Sequence, residues 1–200
     1  MPKEFPPFTT VQRYFYAWRD NGPWQSINHA LLMSVREAAG RQASPTAGVI
    51  DSQSVKTTEA GGPRGYAAEK MIKGRKRHIL TDTIGLPVGM IVHPADVQDR
   101  DGLLASVRRT FPWLRHVFTD GGYAGDKLRA ALEHLGDWAV KIVKRSDTAK
   151  GFVLLPRRWV VERTFAWLVA HRLLSKEYER LPWHTESWII LASIRTLLKR

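Results

Sequence analysis

The spacing of apolar residues changes several times along the chain, and each change predicts an element. Residues 9 to 40, "TTVQRYFYAWRDNGPWQSINHALLMSVREAAG", read as two helices broken at Asp20–Pro23, where glycine and proline interrupt the run. Tyr14, Phe15, Tyr16, Trp18 and Trp24 give this segment a small aromatic core of its own. The stretch from Gly40 to Gly48 is poor in apolar residues and holds Pro45, which places a boundary there. On this reading residues 1–44 are a helical N-terminal segment and residues 45–200 the main domain.

Beyond the boundary the pattern turns to strands. "GVIDSQSVK" predicts one strand, and "KRHILTDTIGLPVGMIVHPAD" predicts two, joined by a turn at Asp82–Pro87. "DRDGLLASVRRTF" predicts a helix capped by Asp99 or Asp101, and "HVFTDGGYAG" a short buried strand that ends in Asp120 and a glycine pair. A helix from about Asp126 to Leu135 follows, then a strand in "WAVKIVKR" and a long helix in "LPRRWVVERTFAWLVAHRLLS". The tail, "RLPWHTESWIILASIRTLLKR", reads as a turn and a last helix packing on the core. Three strands, helix, strand, helix, strand, helix is the order of an α/β fold with a mixed sheet and helices against it. No internal repeat or low-complexity segment interrupts it.

Composition narrows the class. Two hundred residues suffice for one full core with a small appendage, and 44% hydrophobic residues exclude a disordered chain. No apolar run reaches the roughly 18 residues of a membrane span. Lys and Arg total 31 against 19 Asp and Glu, a net charge of +12, which calls for a polyanionic partner, nucleic acid first. Two readings of the N-terminal helices then stay open: a module that lies on DNA through Arg13, Arg19 and Arg36, or a cap packed on the next domain. The start, "MPKEFPPFTT", lacks the apolar core of a secretory signal, and the chain has no cysteine. The expectation is a soluble protein of the cytoplasm, associated with the nucleoid and with no membrane partner.

Three acidic residues carry the candidate chemistry. Asp51 follows the apolar run Val49–Ile50 and Asp120 follows Val117–Phe118, so each stands toward the carboxyl end of a predicted core strand, where α/β sheets bind ligands. Taken singly, Asp120 reads as a turn residue before Gly121 and Gly122, and Asp51 equally as an Asx turn or a satisfied polar group. Glu162 sits among large apolar side chains on the long helix, where Arg158, Glu162, Phe165, Val169 and Arg172 share a sector about 80° wide. A buried carboxylate there needs a partner, and Arg158 one turn before it offers only a few tenths of a kcal/mol. Three carboxylates brought together by a helix across the sheet would repel unless hard divalent cations neutralise them. Two Mg²⁺ ions, or Mn²⁺ in their place, suit such oxygen donors and phosphodiester chemistry.

Four blocks, "AGVIDSQSVK", "KGRKRHILTDTIGLPVGMIVHPADVQDRDG", "FTDGGYAG" and "RRWVVERTFAWL", resemble those of bacterial insertion-sequence transposases of the DDE type, specifically the insertion-sequence-five family. The resemblance covers nearly everything from Ala47 to Arg200. It implies a ribonuclease-H-like catalytic domain with Asp51, Asp120 and Glu162 as both catalytic and metal-binding triad. The implied activity is strand cleavage at element ends and strand transfer into target DNA. Arg158 matches an arginine that such enzymes carry four residues before the glutamate, where it holds a DNA phosphate. Leu155 and Val169 depart from a tyrosine and a lysine of the pattern, and Arg172 takes the lysine's part from the next turn. The implied partners are double-stranded DNA, as terminal inverted repeats and target, and further copies of the chain assembled on it.

Related full-length transposases begin several dozen residues earlier, so a truncated copy or one product of a two-frame element is an alternative, acting as a non-catalytic DNA-binding remnant or regulator. A repair or RNA-turnover nuclease of the same fold is a further alternative. "KMIKGRKRH" concentrates Lys70, Lys73, Arg75, Lys76 and Arg77 between strands, a phosphate clamp or a plain solvated loop, and the triad favours the clamp. The seven histidines show no metal-ligand spacing and take no catalytic part.

Overall fold

The computed structural model describes residues 2–97, 101–119, 139–142 and 156–200. Two helices open the chain, α1 (Phe8–Asn21) and α2 (Pro23–Ala38), separated by Gly22 in the left-handed region at φ 89°. The break falls where glycine and proline placed it. Next come β1 (Ala47–Lys56), β2 (Gly65–Ala67), a 3₁₀ turn over Ala68–Lys70, β3 (Ile72–Asp82) and β4 (Pro87–Pro94). The helix α3 (Asp101–Thr110), the strands β5 (His116–Thr119) and β6 (Ala139–Ile142), and the helices α4 (Pro156–Val169) and α5 (Pro182–Leu197) follow, with a 3₁₀ turn over Arg172–Leu174 between the last two.

The six strands form one mixed sheet in the order β2-β3-β1-β5-β6, with β4 on β3 as well. β1 and β4 run antiparallel to β3, while β1–β5 and β5–β6 are parallel. This is the mixed sheet flanked by helices that the sequence led to expect. The three-residue β2 falls outside that expectation. The anticipated helix at Asp126–Leu135 and the cap Asp99 lie outside the described residues.

Period-two alternation divides the core between the two faces. Ile50, Leu80 and Val117 point to one side, where Leu32 of α2, Leu103, Leu104 and Val107 of α3 and Leu197 of α5 close over them. Val49, Ile79 and Phe118 point to the other, against Val161, Phe165 and Leu168 of α4 and Ile189 and Ala192 of α5. Each such side chain, removed from water, contributes about 1.5–3 kcal/mol before conformational entropy is charged against it.

The turn between β3 and β4 is fastened from both faces. The buried Asp82 carboxylate accepts the N–H groups of Ile84 (3.0 Å) and Leu86 (2.8 Å) and pairs with the Arg36 guanidinium of α2. From the opposite face Arg163 donates to the Ile84 carbonyl at 2.9 Å, and the Thr164 hydroxyl to that of Gly85 at 2.9 Å. Gly85 has φ 87°, which an L side chain would strain.

Arg36 is therefore spent on an internal carboxylate rather than on DNA, and α2 is a packed part of the core. The aromatics of α1 look outward to α5 as much as to one another: Phe15 stacks on Trp188 at 5.2 Å, Tyr16 on His184 at 5.7 Å, and Trp18 meets Trp24 at 4.7 Å.

Candidate functional site

Asp51 sits in β1 directly across from Ile79 of β3. Opposed residues of an antiparallel pair, and residues two apart on one strand, share a face. Asp51 thus shares the face of Val49 and Ile79, the one α4 covers. The residue is half-buried, and its Oδ1 accepts the N–H of Ser52 at 2.7 Å. On β5 the parallel register pairs Phe118 with Val49, and each of these precedes an aspartate by two positions in the sequence. Asp120 itself lies outside the described residues.

Glu162 rides on α4, whose inward stripe is Val161, Thr164, Phe165 and Leu168. Its own side chain is exposed, along with Trp159 and Val169. This corrects the premise that the carboxylate is buried among apolar groups, and with it the need for compensation of a desolvation cost. Phe165 is buried, so it leaves the sector assigned to Glu162. Arg158 stands in the first turn of α4. Arg172 is exposed but belongs to the separate 3₁₀ turn after α4 has ended at Val169, so it does not extend the stripe of Glu162 along one helix.

The basic segment divides. Lys70 and Lys73 are exposed and Lys76 is half-buried. Arg75 and Arg77 are fully buried, which corrects the expectation that they reach a phosphate. Both project from β3 onto the α4 face and meet Glu177, fully buried as well. Arg77 donates to Glu177 and to the carbonyls of Leu174 (2.7 Å) and Lys176 (3.2 Å). Arg75 donates to the carbonyls of Pro63 (2.9 Å), Glu179 (2.8 Å) and Arg180, and the Thr185 hydroxyl donates to Glu177 at 2.7 Å. Burial holds the Arg77 guanidinium below its ordinary pKa, while Glu177 acts in the opposite sense. The pattern was visible in the sequence: counting back by twos from Ile79 puts Arg77 and Arg75 on its face.

Asp51 stands on the sheet face that α4 covers, and Glu162 is an exposed residue of that helix. Among the described residues no group of three or more His, Asp or Glu is close enough to hold a metal ion. No helix among them is long and apolar enough to cross a membrane.

Residues 42–197 match the family described as Transposase DDE domain. The chain is also 36% identical, over 117 residues, to a Burkholderia cepacia protein assigned as the transposase for insertion sequence element IS402. That match takes in 54% of each chain, so this chain spans about half the length of the curated relative it matches. In fold it resembles a chain of the simian T-cell lymphotropic virus intasome in complex with PP2A regulatory subunit B56 gamma, with a TM-score of 0.50 at 15% identity over 76% of this chain and 48% of that one. The catalytic core domain of BIV integrase aligns with a TM-score of 0.44 at 15% identity, over 78% of this chain and 85% of that one. Since the family match runs from before β1 to the end of α5, the chain belongs to the DDE-domain transposases.

Proposed function

We propose that this chain is the catalytic part of a transposase that cuts DNA at the ends of an insertion element and joins the freed strand to target DNA, with Asp51, Asp120 and Glu162 as its acidic triad. The observation that carries the reading is the shared face: Asp51 alternates with Val49, and Val161 and Phe165, which flank Glu162, pack into the cluster that contains Val49. The register of Val49 with Phe118, two positions before each aspartate, supports the place of Asp120. The four sequence blocks support the insertion-sequence-five group within the family.

The donor set fits hard divalent cations. Carboxylate oxygens without thiolates suit two Mg²⁺ or Mn²⁺ ions, and Asp51 and Glu162 would be the ligands from the described part of the chain. When bound, such ions make an attacking oxygen more nucleophilic and neutralise charge at the phosphodiester. The chain's own groups then have the task of placing DNA. The exposed Lys70, Lys73 and Arg172, the half-buried Lys76, and Arg158 one turn before Glu162 are the cations for phosphate contacts. Such contacts fix register without reading sequence, and further copies of the chain would assemble on the paired ends.

The test is nicking of end-labelled terminal-inverted-repeat DNA with Mg²⁺ or Mn²⁺. Asp51→Asn and Glu162→Gln are expected to lower cleavage by about 100-fold or more while leaving the mobility shift intact, the scale of losing one charge-stabilising group in an active site. Cleavage unchanged in either variant would remove the triad. A shift without cleavage under any metal condition would instead assign a regulator that occupies DNA ends, and cutting without preference for ends a general nuclease.

A further inference from the structure

A cavity of about 580 Å³ opens beside β4, walled by α2, α3 and α5 with α1 at its rim. Its apolar walls, Val88, Leu103, Val107 and Phe111, belong to the core cluster on the face away from α4, so it is separate from Asp51 and Glu162. Among the polar groups lining it are buried atoms with no partner and a buried carboxylate. Asn28 is only 8% exposed, and its Oδ1 has no hydrogen-bond partner. The neighbouring His29 Nδ1 is buried without one as well, and its ring lies 4.8 Å from that of Phe111. Glu186 uses Oε1 to accept the N–H of Val92 at 2.8 Å.

We propose that this cavity binds a guanidinium or alkylammonium cation. Such a group brings donors and no acceptor, which suits the unpartnered Oδ1 of Asn28 and the Glu186 carboxylate, and its charge suits the aromatic face of Phe111. A phosphate does not suit it. The one lining cation, Arg19, already gives both carboxylate oxygens of Asp20 a hydrogen bond, at 2.7 and 2.9 Å. In a chain of net charge +12, this cavity is lined by two carboxylates, Asp20 and Glu186, and a single guanidinium, that of Arg19.

The pH dependence has a definite sign. Burial pushes the Glu186 carboxyl up to about 7, and a cation binds its ionised form, so affinity rises with pH. The charged and titratable groups around it are Arg19 and Asp20 on α1 and His29 on α2; β4 contributes the Val92 N–H, and the lining hydroxyls of α3, Ser106 and Thr110, carry no charge. Between pH 6 and 8 the expected gain is roughly tenfold, the change in the ionised fraction of a group titrating midway.

Titrating the intact protein with methylguanidinium, and with methylurea as its neutral isostere, tests the proposal by calorimetry or NMR. Methylguanidinium is expected to bind more tightly at pH 8 than at pH 6, and methylurea not at all. Glu186→Gln keeps an oxygen for Val92 and is expected to weaken binding about tenfold, the scale of one charge-assisted bond. An equal response to both probes, or no response to either, overturns the proposal whatever the variant does, as does unchanged affinity in a folded Glu186→Gln protein. Sedimentation separates the two sources of the cation. Self-association that methylguanidinium reverses assigns a side chain of a second copy, whereas a monomer that binds the probe assigns a free cation.

Discussion

Glu186 shows how a single side chain can set the pH response of the fold. Burial raises its carboxyl from the ordinary 4.5 to about 7, an effect the Val92 N–H only partly opposes. The folded state therefore holds a proton that the unfolded chain releases, and the stability this gives is complete below pH 4.5 and lost as pH rises through 7. Chemical denaturation across that window should show the parent losing up to about 3 kcal/mol relative to Glu186→Gln, the equivalent of the shift. Parallel pH profiles for the two proteins would contradict the assignment. Other residues were harder to read from sequence. Glu162 looked buried because its neighbours in the chain are large and apolar, yet Trp159 and Val169 are themselves exposed on α4. Residue size is a poor guide to facing when a helix has aromatics on both sides. Glu177 gave no local signal, since its partners lie about a hundred positions earlier in the chain, on β3.

Among the elements, the connection between α4 and α5 depends most on charge. Glu177 faces two buried arginines, and its segment also forms a bridge to Thr57 and hydrogen bonds with Lys56 and Thr58 next to β1. Removing one partner of a buried ion pair leaves the other charge stranded, at a cost of about 3–5 kcal/mol. Glu177→Gln should lower the denaturation midpoint accordingly, whereas the all-apolar combination of Glu177→Leu with Arg75→Met and Arg77→Met should cost less than the single change. The reverse ranking would show that the ion pair is a net stabiliser. This cluster also explains why the helix expected over residues 155–175 stops early. The chain leaves helical geometry after Val169 so that Leu174 can enter the core and offer its carbonyl to Arg77, and no glycine or proline announces the break. The β3–β4 hairpin was legible because alternation and the turn residues agree. β2 was not, since three residues are too few to show a period.

On the scale of the whole molecule, the helical start and the sheet share one core. Leu32 of α2 is fully buried against Ile50 and Leu80, and Arg36 of the same helix reaches the turn at Asp82. A chain beginning at residue 45 would uncover those side chains and leave a buried carboxylate without its arginine. It is expected to melt at a lower temperature than the full chain and to bind a hydrophobic dye; an unchanged melting temperature would show that the segment is dispensable. The mixed sheet and its flanking helices were readable from the order of elements. The docking of α2 was not, because a composition break at Gly40–Gly48 marks a change of pattern and says nothing about what packs across it. The hairpin bend at Asp82–Leu86 has a mechanical consequence. It is bolted to a different helix on each side of the sheet, so a load applied to the opening helices is passed through a few residues of backbone to the helix that carries Glu162.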